Sequence, residues 1–330
     1  MPATICPICE NSQPKASKRL EGYQQGVFFD VLFCPGCDTA YVADRTSHDK
    51  IYDLIYANAD VVGGYCRYQQ FHDQIKKQAR PLQYLAEQEG IYWTILKSIQ
   101  DQLIVQTDRI LEVGCGLGYL TYALRQEGYL ATGIDISPEA ISNATACYGP
   151  YYRAENIIGL SGRSQERYDV IIMTELIEHL EDPLLFLSEV RQLLAPNGKL
   201  LITTPNKSFL HKNRETWQSD LPPVHFWWFS EQSVQPIARR LNMQYQLLDF
   251  SDYNRKTGNY ALVINDALQP RVPTFDPTGN VLNPVEKPGV LMRFMLQALR
   301  VVKRGLLPFL NRDTRQSQTL AFILTNDAVR

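Results

Sequence analysis

Three groups of residues in this chain have the types and spacing that chemistry needs. The first is Glu112 followed by Gly114, Gly116 and Gly118, with a second acid at Asp135. Closely spaced glycines let a backbone turn sharply and approach a ligand without Cβ clashes. A dinucleotide loop has the spacing G-x-G-x-x-G and sets a pyrophosphate on a helix N-terminus. Here the third glycine comes one residue early, Tyr119 stands in its place, and Glu112 puts negative charge where phosphates would sit. The pattern suits a ligand with an ammonium group instead, and Asp135 can accept two ribose hydroxyls. The second group is Glu175, Glu178 and His179, with His225 further on. These are carboxylates and imidazoles that can take a proton from an acceptor, and His179 and His225 are the candidate bases. The third is a double C-x-x-C pattern, Cys6/Cys9 and Cys34/Cys37, which supplies a closed tetrahedral zinc site. With four cysteine ligands no position stays open, so such a zinc is structural. Cys66, Cys115 and Cys147 have no partner at metal spacing. Cys115 reads as a small residue that fits inside the glycine loop.

These groups need elements to position them. Arg109 to Val113 reads as an apolar strand and Tyr119 to Glu127 as a helix. Tyr129 to Asp135 reads as the second strand, and Ser137-Pro138-Glu139 as the cap and first turn of a helix. Arg167 to Met173 looks like strand four, Leu184 to Leu194 a helix opened by Asp182-Pro183, and Leu200 to Pro205 strand five. Ser230 is the N-cap of a helix reaching Leu241. Ser233 stands where a capping box has Glu or Gln, so no full box is expected. Met243 to Phe250 follows as strand six. Thr319 to Thr325 is preferred over Tyr260 to Ile264 as the last, antiparallel strand, which makes residues 266–315 an insertion. Ahead of the first strand, Arg80 to Gln106 reads as one helix, with Leu82, Leu85, Tyr92, Ile95, Leu96, Ile99 and Leu103 near helical spacing. Gly26 to Phe33 and Thr39 to Val42 read as strands entering and leaving the second cysteine pair. The chain divides into a zinc ribbon over 1–43, a helical segment over 44–107 and a catalytic domain over 108–330.

The stretch Glu112-Val-Gly-Cys-Gly-Leu-Gly118 resembles motif I of class I S-adenosylmethionine (SAM)-dependent methyltransferases, and the match runs continuously from Asp108 to Asn206. The resemblance implies a Rossmann-like α/β fold, a seven-stranded, mostly parallel sheet with helices on both faces, here with a small N-terminal zinc ribbon. It implies SAM as cofactor, held by Glu112, the loop Gly114, Cys115, Gly116 and Gly118, and Asp135. Ile136 then packs the adenine, Glu155 lies near it, and Thr174 at the end of strand four faces the donor. It implies Glu175, His179 and His225 as catalytic residues. The order Glu175-x-x-Glu178-His179, with His225, also resembles the metal site of small-RNA 2′-O-methyltransferases and ubiquinone-pathway O-methyltransferases, which implies a possible divalent cation there. Without a metal, His179 only braces a loop. A cysteine-pair module ahead of such a domain is similar in layout to sugar C-methyltransferases. Segments ahead of motif I often cover the active site in that family, and Gly64 to Tyr68, after the Gly63-Gly64 break, is either such a lid or a packed linker.

Bulk properties narrow the partners. The chain has 330 residues, 45% hydrophobic and 11% aromatic, enough for a large domain with attachments. Net charge is −2, which argues against nucleic acid and leaves a small-molecule acceptor such as a sugar, glycan or secondary metabolite as the leading reading. An RNA methyltransferase using the ribbon for binding is the alternative, and a non-enzymatic scaffold a second. No signal pattern or membrane-spanning run is read, so a cytoplasmic protein is expected. Residues 290–310 carry Arg293, Arg300 and Arg304 on one face of an apolar segment. That is either a peripheral membrane contact or an ordinary packing helix with a solvated basic face.

Overall fold

A computed structural model describes residues 5–46, 49–209, 220–257, 273–285 and 315–326. Most of the expected insertion, including the basic segment at 290–310, lies outside the described residues, as does Tyr260 to Ile264.

The main sheet has seven strands: β4 (Arg109–Val113), β5 (Leu130–Asp135), β6 (Tyr152–Ala154), β7 (Tyr168–Thr174), β8 (Leu194–Pro205), β10 (Met243–Leu247) and β11 (Thr319–Asn326). Their order is β10-β11-β8-β7-β4-β5-β6. β8, β7, β4, β5 and β6 pair in parallel, while β11 pairs antiparallel with both neighbours. The preference for Thr319 to Thr325 as the antiparallel strand therefore holds. Chain order reverses between β4 and β7, and open α/β sheets bind ligands at the carboxyl ends of strands beside that switch point. Helices α5 (Tyr119–Gln126), α6 (Pro138–Tyr148), α7 (Pro183–Gln192) and α8 (Glu231–Arg240) connect the strands. Ser137 and Asp182 cap α6 and α7 by accepting hydrogen bonds from Ala140 N and Leu185 N, and each helix carries Pro at its first position.

The segment ahead of the sheet holds α1 (Asp49–Ala57), α2 (Cys66–Ile75), α3 (Pro81–Gln88) and α4 (Gly90–Gln100). The single helix expected over 80–106 is two helices. Glu89 between them is extended at φ −142°, ψ 148°. Its carboxylate pairs with Arg67, Nε to Oε1 2.8 Å. A Cβ on Gly90 would stand 3.2 Å from Phe250 and 3.3 Å from Tyr253. Tertiary packing sets the break, and apolar periodicity alone does not register it.

The ribbon strands β1 (Lys15–Glu21), β2 (Phe28–Cys34) and β3 (Thr39–Val42) form an antiparallel sheet. A fourth strand completes it, β9 (Trp227–Trp228), supplied from far along the chain. Leu20, Leu32, Tyr41 and Val42 share one contiguous apolar core with Trp227, Phe229, Val234, Met173 and Leu200. A second core packs α2 to α4 against α5 and the other face of the sheet. Among the described residues no helix is long and apolar enough to cross a membrane.

Candidate functional site

The glycine loop and the second acid lie where β4 and β5 end. Gly114, Gly116 and Gly118 all take positive φ, at 76°, 47° and 79°. The last two do different work. A Cβ on Gly118 would stand 2.7 Å from Ala144 and 2.8 Å from Tyr152, so that glycine permits close packing. A Cβ on Gly116 would meet nothing within 4 Å, so that glycine opens onto free space above the loop. Asp135 ties the two strand ends together. Its Oδ2 accepts from Gly116 N and its Oδ1 from Ser137 N, each at 2.9 Å. Glu155 N donates to the Asp135 carbonyl at 3.0 Å, which places Glu155 beside it. Ile136 follows and is 72% exposed, an apolar side chain presented outward next to the carboxylate.

Glu112 lies beneath the loop rather than on its open side. It is buried, accepts a short hydrogen bond of 2.5 Å from Thr121 Oγ1, and has its carboxyl pushed up to about 7, chiefly by burial. Cys115 also turns inward, against Gly133 and beneath the loop, so only its backbone faces the ligand side.

The second cluster, the carboxylates and imidazoles, begins at the end of β7, where Thr174 is half-buried. Glu175 follows at φ 49°, a left-handed conformation that costs a non-glycine residue of order 1–3 kcal/mol and clusters at functional sites. Thr203 holds it, donating from Oγ1 to Glu175 Oε1 at 3.1 Å. A 3₁₀ turn, Ile177–His179, then brings Glu178 and His179 in. Glu178 Oε2 accepts from Thr204 Oγ1 at 2.8 Å, and its Oε1 is buried without a hydrogen-bond partner. His179 Nδ1 lies 2.8 Å from the Val224 carbonyl. A carbonyl only accepts, so Nδ1 carries the proton and Nε2 keeps its lone pair. That Nε2 is 3.8 Å from Glu178 Oε1. The His225 ring lies 4.5 Å from the His179 ring, at 75°, and its Nδ1 is buried without a partner.

Burial sets the charges here. It pushes both imidazoles down to about 3, with His225 adding to the effect on His179 and Arg67 adding to that on His225. It raises Glu175 to about 8 and Glu178 well above the usual carboxylate range. Both histidines are therefore neutral near pH 7. Glu178, His179 and His225 offer ligand atoms within 4.8 Å of one another, a set that can hold a cation. Glu175 stands outside that set and bonds to Thr203 instead.

The sequence named Gly64 to Tyr68 as a lid or packed linker but gave Arg67 and Tyr68 no role of their own, and Glu89 was missed. Arg67 Nη2 donates to Tyr68 Oη at 2.7 Å and pairs with Glu89, and its charge reaches both Glu175 and His225. The Gly63-Gly64 break just ahead of α2 was the available signal. Thr203 was also missed, since a threonine at a strand end carries no signal by itself, and the bond from Thr204 to Glu178 had no spacing rule to reveal it.

The ribbon cysteines converge. Cys6 and Cys37 sulfurs are 3.8 Å apart, Cys9 and Cys34 sulfurs 3.4 Å, and all four fall within one 4.8 Å set. Tetrahedral zinc with Zn–S near 2.3 Å needs sulfurs about 3.8 Å apart. The four residues fit that ion, and none is in a disulfide.

A family profile described as a methyltransferase domain matches residues 67–247, over half of the chain. The ubiquinone biosynthesis O-methyltransferase of Coxiella burnetii (strain Dugway 5J108-111) is 34% identical over 119 residues, 34% of this chain and 50% of that protein. The enzyme of the same name from Histophilus somni (strain 2336) is 34% identical over 126 residues, 35% of this chain and 53% of that protein. The chain thus spans about half the length of the curated relatives it matches. A solved SAM-dependent methyltransferase from Archaeoglobus fulgidus is 15% identical, with 72% of this chain and 96% of that chain covered at a TM-score of 0.45. Motif, strand order and family profile agree: the chain belongs to the class I SAM-dependent methyltransferases.

Proposed function

We propose that this chain methylates a hydroxyl of a small organic acceptor, with His179 as general base and a structural zinc in the four-cysteine ribbon. The observation that carries the reading is the tautomer of His179. Its Nδ1–H is fixed on the Val224 carbonyl, so the basic Nε2 is kept free. Desolvation keeps the imidazole neutral although its side chain is 21% exposed, and it stands past the end of β7, beside the switch point. SAM, when bound, supplies an electrophilic methyl on a sulfonium. Asp135 would hold the ribose hydroxyls, Ile136 would lie against the adenine, and the backbone at Gly116 would admit the methionine part. Transfer of that methyl to the acceptor oxygen would break the carbon–sulfur bond, with its electron pair returning to sulfur. The acceptor proton passes to Nε2 of His179. Positioning donor and acceptor supplies much of the rate, and the base about 10²–10⁴-fold.

The curated relatives are named as O-methyltransferases, which supports oxygen as the atom methylated; the acceptor class here is a small molecule such as a ring or sugar hydroxyl. A second reading places a divalent cation on Glu178, His179 and His225. It is favoured by two buried, unpartnered ligand atoms, Glu178 Oε1 and His225 Nδ1. Such an ion orients acceptor oxygens and lowers a hydroxyl pKa.

The test is incubation of a metabolite pool with SAM carrying a labelled methyl, with and without Mg²⁺, followed by mass spectrometry. The expected product is a labelled methyl ether. With that acceptor, His179→Asn keeps a donor toward Val224 but removes the base, and is expected to lower kcat about 10²–10⁴-fold with little change in SAM affinity. An unchanged kcat would remove His179 from the role of base.

A further inference from the structure

We infer that the four-cysteine ribbon is a positioning element of the active site, gripping the segment that carries His225 and fixes the tautomer of His179. The inference rests on the roles proposed above for those imidazoles.

The segment from Asp220 to Trp228 is held by the ribbon at three places. Tyr23 N, just past β1, donates to the Pro222 carbonyl at 2.9 Å. Val42 N, at the end of β3, donates to the Phe226 carbonyl at 2.9 Å. Ala40 and Tyr41 pair with Trp228 and Trp227, and the Tyr41 and Trp227 rings stack at 5.4 Å. His225 lies between the first two holds. The same segment reaches the rest of the site directly. Phe226 N donates to the Glu178 carbonyl at 2.8 Å, and the Val224 carbonyl accepts the His179 Nδ1–H.

The metal knuckle is wired into this grip. Cys37 Sγ lies 3.2 Å from Thr39 Oγ1, which donates to Ser233 Oγ at 2.8 Å. Ser233 Oγ donates to the Cys37 carbonyl at 3.1 Å and accepts from Ser230 N at 3.0 Å. The second knuckle is thereby bonded to the start of α8, three residues beyond β9. Gly22 sets the spacing at the other end. A Cβ there would stand 2.4 Å from the Pro222 carbonyl and 2.6 Å from the Phe29 ring, so any larger residue must push the hairpin and the loop apart. None of these contacts touches the glycine loop at Gly114 to Gly118. Loosening the ribbon should therefore disturb the imidazoles and spare the donor site. A module that only stabilised the fold would affect both together.

The experiment uses the full chain, labelled with ¹⁵N-histidine and loaded with zinc. Calorimetry with S-adenosylhomocysteine reads the donor site. The His179 Nδ1–H resonance, shielded from solvent exchange by its bond to Val224, reads the acceptor site. Gly22→Ala and Thr39→Val both keep all four cysteines. In each, zinc content and S-adenosylhomocysteine affinity are expected to stay within threefold of the parent, while the resonance shifts or broadens away. Zinc removal by chelation is expected to shift or broaden the resonance likewise, with S-adenosylhomocysteine affinity within threefold of the parent. An unchanged resonance in both variants would overturn the inference, as would loss of donor affinity in step with the resonance. If the zinc-loaded parent fails to bind S-adenosylhomocysteine at all, the proposed function falls. The effect of the ribbon on the His179 signal stays measurable in that case.

Discussion

Glu112 is a carboxyl placed where its charge is costly without a ligand. Burial raises it from the ordinary 4.5 to about 7. A carboxyl whose folded value lies above its unfolded one is more protonated in the folded state between pH 4.5 and 7. Its contribution therefore destabilises the ligand-free fold as pH rises through that window. A cationic ligand above the glycine loop acts on Glu112 through the loop, and reverses the preference because it favours the charged carboxylate. SAM affinity is expected to rise about tenfold between pH 6 and pH 8, since each pKa unit is a tenfold change in protonation ratio. Calorimetry in buffers of different ionisation enthalpy should detect a released proton near pH 6.5. Glu112→Gln should abolish that proton release, and an unaltered pH slope in the variant would assign the proton to another group. The identity of this residue was legible in sequence, because a carboxylate at that place excludes phosphate. Its burial on Thr121 was not, since the bond runs from the strand to a helix nine residues on and has no spacing rule.

At the scale of elements, the glycine loop separates steric from conformational demands. Gly116→Ala introduces left-handed strain but no clash, so the expected cost is about 1–2 kcal/mol, with SAM binding weakened and the fold kept. Gly118→Ala adds strain and drives a methyl into Ala144 and Tyr152. Overpacking adds about 1–3 kcal/mol, so thermal unfolding should report a clearly larger loss for Gly118→Ala. Equal losses would show that packing at Gly118 relaxes freely. The strands and helices of the main sheet could be read from their periods, caps and prolines. Three features could not. β9 has only two residues, too few for any alternation, and is a strand solely because β3 is already there. The break at Glu89 answers to Arg67 and to the wall of Phe250 and Tyr253. The full capping box that was not expected at α8 is present: Ser233 does the task of Glu or Gln, its hydroxyl accepting from Ser230 N while also bonded to Thr39 and the Cys37 carbonyl.

For the whole molecule, the division into a ribbon over 1–43 and a catalytic domain over 108–330 reads differently in space than in sequence. The two share an apolar core, and the ribbon sheet takes its last strand from the other part. Residue order set the ribbon apart as its own segment because the cysteine pairs are local and β9 is remote. A chain beginning at residue 44 would expose Trp227, Trp228 and Phe229, all buried here. It is expected to aggregate or to show red-shifted tryptophan emission. A monomeric truncate with native emission and undiminished SAM affinity would show that the two parts fold separately.

The placement of β11 carries a consequence for biosynthesis. β11 sits between β10 and β8, yet it follows both in the chain, after the long stretch beyond α9 (Ser251–Thr257). Until residues 319–326 emerge from the ribosome, β10 has no strand to join and β8 presents a bare hydrogen-bonding edge with Leu200, Leu201 and Ile202 along it. Unpaired apolar edges recruit other chains. Stalled or nicked products ending before this strand should therefore be captured by chaperones rather than persist as partly active protein.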